Sequence, residues 1–180
     1  VPVVKEFREE YFCRLGLVLD PTLERHPFEE LRRHFSPRIE FEAMVSLSAA
    51  ITDYFASRDY AVDLFAAGSR VYRFAGGRSF SVQDRILEIL GSMDYSTTDR
   101  FDQLETALLE EPPDMSGVLF VVNLWNEPRK RLVEELIANG IPCRVLVVHF
   151  RYALPSKTEL PSYVTVIAAE SVKHGRCREL

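Results

Sequence analysis

The sequence predicts a three-layer α/β fold, a doubly wound and mainly parallel sheet with one antiparallel edge strand. Three observations predict it. Strand-like and helix-like segments alternate along the 180 residues, a pattern that favours parallel strands joined by right-handed crossovers. Two runs, Gly117 to Leu124 (GVLFVVNL) and Ile141 to His149 (IPCRVLVVH), are apolar on both faces, as strands covered by helices on both sides must be. Gly68-Ser69 separates two β-capable runs by a hairpin-like turn, which supplies the antiparallel strand.

Arg14 to Asp20 (RLGLVLD) is a short apolar run ending in an acid and reads as a buried strand. Pro21 to Pro37 holds three prolines and no sustained period, which makes it a long loop. From Glu40 to Ser57, Phe41, Met44, Val45, Leu47, Ile51, Tyr54 and Phe55 recur at helical spacing. Tyr60 to Ala67 alternates as a strand does, and Val71 to Phe74 follows as its hairpin partner, closed by Gly76-Gly77. Val82 to Leu90 and Phe101 to Glu110 are two short helices flanking a polar loop, Ser96-Thr97-Thr98-Asp99. Gly117 to Leu124 is the central strand. Glu127 to Asn139 is a helix with Pro128 in its first turn and Gly140 just past its end. Ile141 to His149 and Val164 to Ala168 are the last strands, and residues 170–180 are a polar tail. Residues 1–180 thus read as one domain. Residues 1–12 form either an edge segment joined to something upstream or a flexible start.

Composition excludes several classes. A net charge of −5 with mixed acids and bases disfavours duplex nucleic acid, whose phosphates need a basic face. Cys13, Cys143 and Cys177 contain no C-x-x-C pair, so reduced intracellular thiols are expected, with Cys13 and Cys143 as small buried hydrophobes. No apolar run approaches the ~18 residues of a membrane span, and the opening residues carry no signal-peptide pattern. The chain starts at Val1 without a methionine, so an upstream portion is expected.

In a doubly wound sheet, ligands sit beyond the carboxyl ends of the strands. Here those ends carry Asp20, Asn123 and His149. The residues directly after Asp20 (PTLERH) hold no glycine, which argues against the dinucleotide fingerprint; no phosphate-binding loop motif and no nucleophile elbow occur either. His26 and His34 lie in the long loop, and His149 reads as a hydrogen-bonded structural histidine. What the rim does offer is oxygen. Asp20-Pro-Thr22-Leu-Glu24 places three oxygen side chains at alternating positions, Thr97 and Thr98 lie in a neighbouring loop, and Asn123 ends the central strand. Hard divalent cations such as Mg²⁺ take oxygen ligands of this kind. Trp125, also after the central strand, is either a partner-binding anchor or half-buried under the next helix.

Acid-x-hydroxyl-x-hydroxyl after the first strand, a loop threonine and an acid ending the fourth strand form the metal-ion-dependent adhesion site of von Willebrand factor A domains, which this rim resembles. The chain also resembles the bacterial family called domain of unknown function 58. The residues that carry this second resemblance are Val4 to Phe7, Leu15 to Asp20, Glu42 to Ala50, Val62 to Gly68, Arg85 to Leu90, Phe101 to Leu104, Val118 to Asn123 and Leu132 to Val148. Against the adhesion-site pattern, Glu24 replaces a hydroxyl and Asn123 replaces an acid, and Pro21 stiffens the loop. The site is therefore expected to be degenerate, holding no cofactor or at most a weakly bound Mg²⁺; the competing reading is a vestigial rim whose polar groups cap helices and loops. The family resemblance implies a non-enzymatic, cytoplasmic protein-interaction module working with a MoxR-type AAA+ ATPase, with any membrane attachment through the upstream segment. The alternatives are a metal-dependent hydrolase or phosphotransferase using Asp20, Glu24 and Asn123, and a scaffold with an inactive rim.

Overall fold

The computed structural model describes residues 13–23, 37–76, 80–96, 98–110, 115–149 and 160–173. Six strands form one sheet: β1 (Arg14–Asp20), β2 (Ala61–Ala67), β3 (Val71–Phe74), β4 (Gly117–Val122), β5 (Cys143–His149) and β6 (Val164–Ala168). Their spatial order is β3-β2-β1-β4-β5-β6. All neighbours are parallel except β2 and β3, which pair antiparallel from Leu64↔Phe74 to Ala67↔Val71. The predicted edge hairpin is thus present.

Successive strand residues point to opposite faces, and each face meets its own helices. On one face Leu17, Leu19, Leu64, Ala66, Val121 and Val148 pack under α1 (Pro37–Ala56) and α2 (Phe80–Ser92). On the other, Val18, Phe65, Phe120, Val122 and Val147 pack under α3 (Phe101–Leu109) and α4 (Glu127–Ala138). β1 and β4, at the centre of the sheet, are buried along most of their length. That explains why their sequences are apolar on both faces rather than alternating.

Most elements match the sequence reading within two or three residues, and the departures have physical reasons. Pro37, expected to end the long loop, is instead the first residue of α1, a position where its missing N–H costs nothing. Residues 170–180 were expected to be a polar tail, yet Ala169–Lys173 forms a short helix, α5. Ala169 is fully buried and Val172 packs on the first core, so this turn is held by tertiary contact against its polar composition. Cys13 is exposed, not a buried hydrophobe, whereas Cys143 is buried as expected. At the end of α4, Gly140 adopts a φ of 85°. That left-handed residue closes the helix, with the Gly140 N–H donating to the Ile137 carbonyl and Ile141 to Leu136. Among the described residues no helix is long and apolar enough to cross a membrane.

Candidate functional site

The fold sends Asp20, at the end of β1, and Asn123, just after β4, to the same carboxyl edge of the sheet. Asp20 is 0% exposed and Thr22 is buried beside it. Asp20 Oδ1 accepts from the Thr22 hydroxyl at 2.6 Å and the Thr22 N–H at 3.2 Å. This side-chain turn folds the Asp20-Pro21-Thr22 segment back on itself. Thr22 bridges in parallel to Ser96, and the Leu23 N–H donates to the Ser96 carbonyl at 3.1 Å. The loop after β1 and the loop after α2 are therefore joined.

The other Asp20 oxygen meets a residue that the sequence reading did not single out. Arg129, in the first turn of α4, is 1% exposed. Its Nε and Nη2 donate to Asp20 Oδ2 at 2.8 and 2.6 Å. Its Nη2 and Nη1 also donate to Asp99 Oδ1 and Oδ2 at 2.9 and 3.1 Å, a two-pronged ion pair. A fifth hydrogen bond runs from Nη1 to Asn126 Oδ1 at 3.1 Å. A guanidinium has five N–H donors, and all five are used. Phe101 closes one face, with its ring centroid 4.5 Å from the Arg129 Cζ.

Local structure makes the arrangement plain. A cation in the first turn of a helix opposes the macrodipole, so Arg129 needs strong partners there. Asn126, the N-cap of α4, makes no side-chain cap, and its side-chain Oδ1 accepts from Arg129. Asp99 also accepts the Phe101 N–H at 3.0 Å, which holds the start of α3 and aims the carboxylate at Arg129. Burial by itself would lower the Arg129 pKa, but the hydrogen bonds and charges of Asp99 and Asp20 outweigh it and raise it. Burial likewise works to raise the Asp99 pKa, and is outweighed by Arg129 and the Phe101 N–H, which bring it below its ordinary value.

The predicted residues separate clearly. Asp20 and Thr22 meet in one hydrogen-bonded unit. Asn123 is buried, but its Nδ2 donates to the Val148 carbonyl at 2.7 Å, tying the end of β4 to β5. Thr98 is exposed and placed through its backbone, its N–H donating to the Ser96 hydroxyl and its carbonyl accepting from it. Among the described residues of this loop, Asp99 reaches Asp20's network through Arg129. Glu24 and Thr97, like His26 and His34, lie outside the described residues. Trp125 is half-buried and stands edge-on to Tyr163, with ring centroids 6.4 Å apart. Tyr95, one residue before the Ser96 bridge, is 40% exposed.

These donors do not fit a divalent cation. An ionised carboxylate has about four acceptor positions. Those of Asp20 are taken by two donors from Thr22 and two from Arg129. A metal there would also stand against a buried positive charge. Arg129 could have been found in the sequence. Arg129, Leu132, Val133 and Leu136 are the buried residues of α4, and their i, i+3, i+4, i+7 spacing puts an arginine on the apolar stripe.

The fold matches that of solved structures. A von Willebrand factor type A protein from Catenulispora acidiphila superposes with a TM-score of 0.55 over 92% of this chain and 41% of its own, at 10% identity. The fold is von Willebrand factor A-like. Proximal thread matrix protein 1 of the mussel byssus gives 0.59 over 91% of this chain and 46% of its own, again at 10% identity. The chain thus spans less than half the length of either structure. No family model matches the sequence, and no curated protein does.

Proposed function

We propose that this von Willebrand factor A-like chain is a non-enzymatic protein-interaction module that docks its partner on the carboxyl edge of the sheet. The observation that carries the reading is the locked rim. The Asp20–Arg129–Asp99 network ties three loops together and leaves its charged groups saturated, an arrangement suited to presenting a fixed surface rather than to turning over a substrate. Tyr95 and Trp125 lie on segments bordering the network, and aromatic side chains of this kind anchor interfaces. Among the described residues, Asp20 and Thr22 are the part of the adhesion-site pattern that meets in this network.

The resemblance to domain of unknown function 58 supplies the partner and the setting: a MoxR-type AAA+ ATPase, met on the cytoplasmic side, with any membrane attachment outside this chain. The test is binding of a purified MoxR-type ATPase to the immobilised chain, with Tyr95→Ala and Trp125→Ala variants of unchanged melting temperature. Loss of a core anchor at an interface typically costs about 2 kcal/mol or more, so one or both variants should weaken binding at least tenfold. Absence of binding, or full binding by both variants, sinks the proposal.

A further inference from the structure

We propose that Arg129 is the built-in cation of this rim: its guanidinium takes up the Asp20 carboxylate where an adhesion-type site would use a divalent metal, and the rim is assembled without metal. The inference stands on the geometry of the network and the fold, and not on the identity of the partner.

Three features of the network point to it. The acid that follows the first strand is the residue the adhesion-site pattern assigns to the ion, and here its outer oxygen receives Nε and Nη2 of Arg129. The bond lengths are those of charge-assisted hydrogen bonds. Next, the guanidinium ties together the segments that a bound ion would: Asp20 at the end of β1, Asp99 from the loop before α3, and α4 after β4. Finally, the set is closed. Five donors meet five acceptor contacts, and the second carboxylate comes from Asp99, whose side chain is 49% exposed at the rim. An adhesion-site metal keeps an open position for a partner's acid. Asp99 takes the outer edge of Arg129 from within the chain, so no partner acid is needed to complete it.

Arginine suits this task better than lysine. Its planar fork satisfies two carboxylates and an amide at once, and it stays charged when buried. A compact ammonium has three donors on a shorter stem and would leave acceptors of Asp20 or Asp99 unfilled.

The test uses the 180-residue chain and needs no partner. Wild-type protein is melted in EDTA and in millimolar Mg²⁺, Mn²⁺ or Ca²⁺, and the Arg129 Nε–H resonance is followed by NMR in the same titrations. Ligand that binds only the folded state must raise stability; the expected result is no rise in melting temperature and an unmoved, exchange-protected Nε–H. Arg129→Ala and Arg129→Lys are then melted with and without low-millimolar methylguanidinium or Mn²⁺. A cation of either kind should recover several degrees in Arg129→Ala, and the recovery should vanish in Arg129→Ala/Asp20→Ala. Arg129→Lys should fall between wild type and Arg129→Ala. A wild-type rise with metal that Asp20→Ala abolishes, or an Nε–H displaced by metal, overturns the proposal without recourse to any variant. So does a folded Arg129→Ala that no cation stabilises.

Discussion

Removing Arg129 tests the network most directly, because its partner Asp20 has no route to water. In Arg129→Met the apolar stem is kept and the charge is lost. Asp20, 0% exposed, then retains only its two bonds from Thr22. Breaking a buried ion pair from one side costs about 3–5 kcal/mol, since a bare buried charge is left behind. Against a total stability of about 5–15 kcal/mol, that is a large fraction. For a chain of 150–250 residues each kcal/mol shifts the melting temperature by roughly 2–4 °C, so a drop on the order of 10 °C is expected. Asp20→Asn should cost less, because Arg129 keeps Asp99 and Asn126. The double variant Asp20→Asn/Arg129→Met buries no formal charge and should cost less than the two singles together, with a coupling of ~1–3 kcal/mol. Urea unfolding of the four proteins, with slopes compared, gives these differences. A loss under ~1 kcal/mol in Arg129→Met, set against the pair cost above, would refute the idea that this pair holds the rim. Strict additivity in the cycle would refute it equally.

Other consequences follow from single features. Asp99 is held below its ordinary pKa, so its contribution to stability is complete above the unfolded value near 4 and is lost as pH falls through the folded one. Melting temperature should therefore decline below about pH 4, and Asp99→Asn should show a shallower decline; identical acid limbs would exclude Asp99. Burial pushes the Cys143 thiol up to about 11, which leaves it protonated at neutral pH. In a Cys177→Ser background, exposed Cys13 should react with a thiol reagent within minutes and Cys143 only on unfolding. A Cβ at Gly76 would overlap the Val62 carbonyl group, so Gly76→Ala must shift backbone beside β2. It should lose about 1–3 kcal/mol in the same urea assay, the usual cost of overpacking, and a neutral result would mean that this edge yields freely.

The sheet was legible because its determinants are local. β1, β4 and β5 are apolar runs of strand length, the hairpin is marked by Gly68-Ser69, and α4 carries Pro128 and Gly140 at its two ends. Boundaries moved where tertiary contact outweighs local signal, as at Ala169, buried in the first core despite the polar run that follows. The site was half legible. Asp20 and Thr22 are two residues apart, and a turn between them can be read from the chain. Arg129 lies 109 residues from Asp20, and nothing in local pattern states that such a pair meets. The apolar stripe of α4 was the signal available, and an arginine on that stripe is easily read as one more surface charge among Glu127, Lys130 and Arg131.

The charge balance of the rim bears on what can bind there. Two carboxylates, Asp20 and Asp99, face one guanidinium, which leaves one net negative charge on the network. Asp20 is wholly enclosed, so that charge is presented through Asp99. An adhesion site with a divalent ion in the same place would cancel both carboxylates and keep a coordination position for an incoming acid. Here the outward group is itself an acid, and a partner carboxylate brought to it would meet like charge at short range, which costs affinity. The interaction proposed for this rim is then of another kind: apolar and aromatic contact at Tyr95 and Trp125, around a polar centre whose donors and acceptors are satisfied within the chain. Such a centre contributes little attraction of its own. Its part in the proposed binding is to keep the loops after β1, α2 and β4 in one arrangement, so that the entropy of ordering them is spent in folding and not at the interface.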